Sequence, residues 1–100
     1  MAYHRLRDML RTPTADGTEA AKLDIGHLEI TYERVKPSAG SAARSSDKGQ
    51  IFYILSGTME MTVDGEKKAV KAGDTWLVEA GKPVSFQATD IECIRLIITG

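Results

Sequence analysis

Arg44, Ser46 and Gln50 are the polar residues whose types and spacing first suggest chemistry in this sequence. They lie in RSSDKGQIFYILSG, residues 44–57, whose polar first half is typical of a loop and whose second half is typical of a strand ending in a turn. The Arg44 guanidinium carries a fixed positive charge and can hold a carboxylate or phosphate through two parallel hydrogen bonds. Alternatively, Arg44 lies exposed on a loop beside Asp47, because arginine is common on loops.

The two neighbours of Arg44 have simpler alternatives. Ser46 has no histidine close in sequence to activate it as a nucleophile, so we expect a serine that bonds to the backbone of its own loop. Gln50 opens a strand and points into the protein interior if the register of that strand allows it.

Composition limits the classes of partner. The chain has 100 residues, enough for one domain, with 13 basic and 14 acidic residues and a net charge of −1. That balance gives no electrostatic reason to expect nucleic acid or an anionic membrane surface as a partner. No run approaches the roughly 18 apolar residues of a membrane span. The first residues lack the apolar core of a signal peptide and Cys93 has no second cysteine, so we predict a cytoplasmic protein.

Short apolar-alternating segments separated by turn signals fill the chain from residue 25 onward. LEITYERV, residues 28–35, alternates Leu28, Ile30 and Tyr32 against polar residues, which predicts a strand that buries the face carrying those three. Asp64-Gly65 is a strong hairpin signal. The other predicted strands are residues 50–55, 58–63, 67–72, 75–80, 84–89 and 92–99. This spacing is typical of an all-β sandwich or barrel.

The remaining segments carry weaker patterns. Residues 3–11 place Leu6, Met9 and Leu10 on one helical face, which allows at most one short N-terminal helix, and residues 12–21 have the composition of a loop. Residues 36–49 predict a long loop or a weakly paired strand. We therefore expect an N-terminal lead-in, residues 1–24, that packs on a barrel of residues 25–100.

The turn pattern is specific enough to suggest a family. FYILSGTMEMTVDGE, residues 52–66, and VKAGDTWLVEAGKPVSF, residues 70–86, resemble the two motifs of the cupin family. The resemblance covers about residues 25–100. It implies a single cupin-type barrel, the jelly-roll-like double-stranded β-helix.

The same resemblance implies that the usual cupin metal is missing. Aligned with the first motif, Arg44 and Ser46 stand at the two histidine positions and Gln50 at the acidic position, while Val84 stands at the histidine of the second motif. Such metal sites need imidazole and carboxylate donors, and only Gln50 offers a possible ligand. We therefore predict no metal and no cofactor.

A pocket without its metal is free to hold an organic ligand. The resemblance makes Arg44, Ser46, Gln50 and Val84 candidate ligand-binding residues, and the positive charge of Arg44 favours an anion. The aromatic residues Phe52, Trp76 and Phe86 are candidates for the pocket wall, although side chains that fill a small barrel serve equally as its core. The first function hypothesis is a small-molecule-binding protein.

Two other hypotheses remain open. The first alternative is a metal-independent isomerase or epimerase, in which Tyr53 and Glu60, with Arg44, would replace the histidine that neither motif supplies. The second is an interaction or scaffold protein that forms a homodimer through its sheets, which we expect in any case because the core is thin and the sheet edges are exposed. Convergence of Arg44, Gln50 and a carboxylate on one cavity would favour a ligand site, and a tyrosine beside them would favour an enzyme.

Overall fold

The computed structural model describes residues 12–13 and 18–100, and within them every regular element is a strand. The ten strands are β1 (Thr12–Pro13), β2 (Thr18–Ile25), β3 (Leu28–Val35), β4 (Gly40–Arg44), β5 (Gln50–Ser56), β6 (Thr58–Val63), β7 (Glu66–Lys71), β8 (Thr75–Val78), β9 (Val84–Ala88) and β10 (Cys93–Thr99). In this described part of the chain, no helix has the length and apolar character that crossing a membrane requires.

Two antiparallel sheets form the barrel. The six-stranded sheet has the order β1-β2-β3-β10-β5-β8, and the four-stranded sheet has the order β4-β9-β6-β7. Inward side chains of both sheets form one apolar cluster, in which Phe52 and Ile54 of β5 meet Met59 and Met61 of β6. The arrangement confirms the all-β, cupin-type barrel that the turn pattern predicts.

The predicted Asp64-Gly65 hairpin joins β6 to β7. Both residues have positive φ angles, 49° for Asp64 and 84° for Gly65, as a two-residue type I′ turn requires. This turn matches the twist of the flanking strands, so Met59, Met61 and Val63 of β6 all remain on the buried face.

The first part of the chain departs from the sequence prediction. Residues 12–21 were expected to be a loop, but β2 begins at Thr18 and pairs with β3 along its whole length, so the sheet extends into the predicted lead-in. The part of β2 that falls in the predicted loop, residues 18–21 (TEAA), carries only small and charged side chains, which leave no apolar alternation to recognise. The possible short helix at residues 3–11 lies outside the described residues.

The segment 36–49 contains the weakly paired strand that composition allowed. In it, β4 pairs with β9 at Gly40, Ser41 and Arg44, and the register shifts between Ser41 and Arg44. The irregular pairing leaves the end of β4 beside the start of β9, because Arg44 lies opposite Val84. Arg44 and Val84, which are forty positions apart in the sequence, therefore become neighbours.

Candidate functional site

The inner face of the six-stranded sheet carries three cross-strand rows of side chains. Residues two apart on a strand share a face, and the register aligns every second residue of β3, β10 and β5. The rows are Glu29–Thr99–Gln50, Thr31–Ile97–Phe52 and Glu33–Arg95–Ile54. The first row is half-buried and the second is buried, so the first lies nearer the barrel mouth; in the third row Arg95 and Ile54 are buried and Glu33 is half-buried.

The first two rows and Glu33 line a cavity of about 280 Å³, which we call the barrel cavity. Its rim consists of the exposed residues Lys22, Arg44 and Ser45. Half-buried polar residues form its wall: Glu29, Ser46, Gln50 and Thr99. Its floor consists of Thr31, Glu33, Phe52, Val84 and Ile97. The cavity therefore becomes more apolar with depth, except at Glu33.

Five of the predicted ligand-binding residues line this one cavity: Arg44, Ser46, Gln50, Val84 and Phe52. The Gln50 side-chain amide donates to the Thr99 hydroxyl at 3.2 Å, which directs Gln50 inward across the mouth row. The Ser46 hydroxyl accepts a hydrogen bond from the Lys48 amide at 3.1 Å, as expected of a serine that stabilises its own loop.

The residues at the cupin metal positions do not fit a metal ion. Arginine is a permanent cation, valine has no donor atom, and the Ser46 hydroxyl is a poor ligand near neutral pH. Among residues 12–13 and 18–100, no three His, Cys, Asp or Glu side chains cluster closely enough to hold a metal. We therefore derive no chemistry through a metal here.

The two candidate catalytic residues lie away from the barrel cavity. Tyr53 alternates with the buried Phe52 and Ile54, and Glu60 alternates with Met59 and Met61, so both side chains are on outer faces. The strand period that places the core inward places these two candidate catalytic groups outward.

Trp76 and Phe86 also contribute nothing to the cavity lining. Trp76 packs against the core and borders a separate hollow, where the Lys68 ammonium lies 5.4 Å from its ring centroid. Phe86 is buried in the core below the cavity. Of the three predicted aromatic wall residues, the structure brings only Phe52 to the cavity.

The sequence analysis did not predict the buried pair of Glu33 and Arg95. The Nε atom of Arg95 donates to Oε1 of Glu33 at 2.5 Å, and its guanidinium carbon lies 4.4 Å from the ring centroid of Phe86 and 5.4 Å from that of Phe52. Arg95 is 4% exposed. A charged residue in the inward phase of an apolar strand was the signal for this pair, because Arg95 alternates with Cys93 and Ile97.

The predicted buried face of β3 was the wrong one for the barrel interior. Thr31, Glu33 and Val35 face inward, whereas Leu28 is 41% exposed on the opposite face. Tyr32 on that opposite face is nevertheless buried, at 6% exposure. Both faces of β3 thus carry covered residues, so apolar alternation alone could not identify the barrel side.

Cys93 continues the inward phase of β10 below Arg95 and is fully buried. Burial raises the pKa of the Cys93 thiol, and the positive charge of Arg95 opposes this in part. The thiol is therefore a neutral core group at physiological pH, consistent with the small hydrophobic role that such cysteines often have.

Comparison with known proteins agrees with this geometry. A family profile described as the Cupin domain matches residues 31–99, more than half of the chain. The chain belongs to the cupin family. A comparison with curated proteins found no match.

Solved structures show the same fold over nearly the whole chain. KdgF from a Halomonas species is 14% identical, with 99% of this chain and 93% of that chain covered and a TM-score of 0.89. The polyketide cyclase RemF from Streptomyces resistomycificus is 20% identical, with 99% and 78% covered and a TM-score of 0.85. An RmlC-like cupin from Shewanella frigidimarina is 18% identical, with 99% and 89% covered and a TM-score of 0.85. At these identities the likeness shows the fold.

Proposed function

We propose that this cupin binds a small organic anion in the barrel cavity. The observation that carries the proposal is the position of Arg44 on the rim, beside a mouth that also holds Lys22 and its ion-pair partner Glu29. Arg44 stands at a position of the cupin metal motif and can supply the positive charge that a metal would otherwise bring to the mouth. The ligand of such a site is an anion held by a guanidinium rather than by a metal ion.

The shape and lining of the cavity support an organic ligand over an inorganic ion. A volume of about 280 Å³ is many times that of one water molecule, which takes up about 30 Å³ in the liquid. The floor includes Phe52, Val84 and Ile97, which favour contact with carbon atoms. An anionic head at the rim and a carbon body below it fit this lining.

A thermal-shift screen of carboxylates and sugar phosphates tests the proposal. Arg44→Ala removes a charge-assisted contact and should weaken the binding of wild-type hits by about 1.5–3 kcal/mol, roughly 10- to 150-fold in affinity. Lys67→Ala, which removes an exposed cation from β7 far from the cavity lining, is the control and should keep every hit. If all hits keep equal shifts in Arg44→Ala, Arg44 is no anchor.

One observation favours a second function, metal-independent acid–base catalysis of the isomerase or epimerase type. A carboxylate, Glu33, lines the cavity, and a carboxylate can act as a general base. Tyr53 and Glu60 do not support this function, because they lie on outer faces. Incubation of each hit with the protein in D₂O tests it, since a proton-abstracting enzyme exchanges a C–H of its substrate and a binding protein does not.

A further inference from the structure

The floor of the barrel cavity carries a carboxylate, Glu33, whose side chain is 13% exposed. At the mouth, Arg44 lies on the rim and Lys22, whose side chain is 64% exposed, lies 3.9 Å from Glu29. Around Glu33 the floor combines the apolar Phe52 and Ile97 with the Thr31 hydroxyl. A ligand that fills the cavity therefore meets Arg44 and the Lys22–Glu29 pair at the mouth and Glu33 on the floor.

Arg95 orients that carboxylate and balances its charge. It donates to Oε1 of Glu33 from the opposite position on β10, and the rings of Phe86 and Phe52 confine its guanidinium. A carboxylate has about four acceptor sites, so a bond to one oxygen leaves acceptor capacity for a donor that enters through the cavity. Glu33 is thus a positioned hydrogen-bond acceptor.

The donor that suits this acceptor is a neutral one. The charge of Glu33 is already balanced by Arg95, so a ligand ammonium would bring an additional, unbalanced charge onto an apolar floor. A hydroxyl group donates one hydrogen bond to the carboxylate and adds no charge. An apolar ligand end would displace water from the accessible side of Glu33 and leave that side without a hydrogen-bond partner.

We propose that the ligand is a small hydroxy acid whose carboxylate lies at the rim beside Arg44 and whose hydroxyl donates to Glu33. This inference rests on the proposed function, because it needs an anion at the rim, and adds the recognition of the hydroxyl. Arg44 lies at the rim and Glu33 on the floor of the same cavity, so the spacing between the carboxylate and the hydroxyl of the ligand is part of the recognition.

The experiment is an NMR titration of backbone amides with acids matched in chain length. The probes are butyrate, its 2-, 3- and 4-hydroxy derivatives, 4-aminobutyrate, and the pair hexanoate and 6-hydroxyhexanoate. At least one hydroxy acid should bind wild type about tenfold more tightly than its unsubstituted acid. Glu33→Gln, which replaces the carboxylate by a neutral amide, should remove most of that preference, measured as the ratio of the affinities for the hydroxy acid and for its unsubstituted acid. Glu60→Gln, a carboxylate on the outer face, should keep it.

Each contrary outcome has a separate meaning. If the hydroxyl preference is absent in wild type or persists in Glu33→Gln, the hydroxyl assignment is wrong and the anion site stands. Tighter binding of 4-aminobutyrate than of any hydroxy acid overturns the hydroxyl assignment in favour of an ammonium ligand. If none of these acids shifts the amides of Thr31, Gln50 or Thr99, both this inference and the proposed function fail.

A variant that replaces the whole pair covers the case in which Glu33→Gln does not fold. Glu33→Leu/Arg95→Met keeps the side-chain volumes and leaves no buried charge. It should bind hydroxy and unsubstituted acids equally, and a retained hydroxyl preference in this double variant also overturns the proposal.

Discussion

Arg95 and Glu33 form a cross-strand ion pair inside the barrel, with 2.5 Å between Nε and Oε1 and side chains only 5% and 13% exposed. Arg34 and Glu92 form a pair with the same 2.5 Å separation at the surface, where the side chains are 38% and 36% exposed. The two pairs therefore differ chiefly in burial.

Arg95→Met should lower the free energy of unfolding by about 3–5 kcal/mol, because it leaves the Glu33 charge buried without a partner. Arg34→Met should cost much less, since water screens its pair. Urea unfolding monitored by circular dichroism measures both, and Glu33→Leu/Arg95→Met should recover most of the loss. Equal costs for the two single variants would show that burial is not what distinguishes the pairs.

Gly57→Ala should be far more destabilising than Gly65→Ala. Both glycines have φ near +80°, which costs a residue with a side chain about 1–2 kcal/mol. A methyl group on Gly57 would also overlap the carbonyl oxygen of Glu92, whereas one on Gly65 would meet open space. Thermal unfolding of the two variants isolates the steric part as the difference, and equal melting temperatures would contradict the close approach.

Cys93 should contribute a stability loss at alkaline pH. Burial raises its pKa in the folded state, so the folded protein retains a proton that the unfolded chain releases near pH 8.5–9. The stabilisation is present below that pH and is lost as the pH rises through the raised pKa. The free energy of unfolding should fall more steeply between pH 8 and 10 for wild type than for Cys93→Ala, and parallel pH profiles would count against the shift.

The protein should be a homodimer that pairs through the outer face of the six-stranded sheet. Leu77 is 70% exposed on β8, the edge strand of that sheet, with Leu28 and Tyr53 also exposed on the same face. A second copy would cover both this apolar face and the open edge. Light scattering should give twice 10.9 kDa for wild type and a monomer for Leu77→Glu. A monomeric wild type at micromolar concentration would refute the pairing.

Protein purified without a metal-affinity tag should contain no stoichiometric transition metal. The reason is the donor set at the cupin metal positions, where Arg44 and Val84 cannot act as ligands and Ser46 is a poor one. Elemental analysis by plasma mass spectrometry decides it. One equivalent of iron, zinc, manganese or nickel would mean that other residues form a site.

Local patterns predicted the turns, and the resemblance to the cupin motifs suggested Arg44, Gln50 and Val84, but neither pointed to Glu33 or Arg95. The hairpin at Asp64-Gly65 follows from short-range spacing, which survives in a single sequence. Glu33 and Arg95 lie 62 positions apart, so their pairing depends on the register between β3 and β10. Nothing in either strand alone specifies that register, and each residue read alone resembles an ordinary surface charge.

Strand β2 was missed for a related reason. It pairs along its whole length with β3, yet its first half, TEAA, offers only small and charged side chains where a recognisable strand would offer alternating large apolar ones. Its backbone bonds to β3, and the sequence of β2 by itself does not show that this partner strand is available. Tyr53 and Glu60 show the reverse case, in which residues with suitable chemistry alternate with core residues and therefore face outward.

The register shift in β4 makes the mouth of the barrel cavity more flexible than its floor. Ala42 and Ala43 lie in the irregular part of the β4–β9 ladder, next to Arg44. Arg95 is on β10, which pairs without a break with β3 on one side and, with a register shift between Ile94 and Arg95, with β5 on the other. Amides near the rim should therefore exchange with solvent sooner than those of β10. A flexible mouth and a rigid floor would let the cavity accept ligands of different length and would make it selective for the group at the inner end of the ligand.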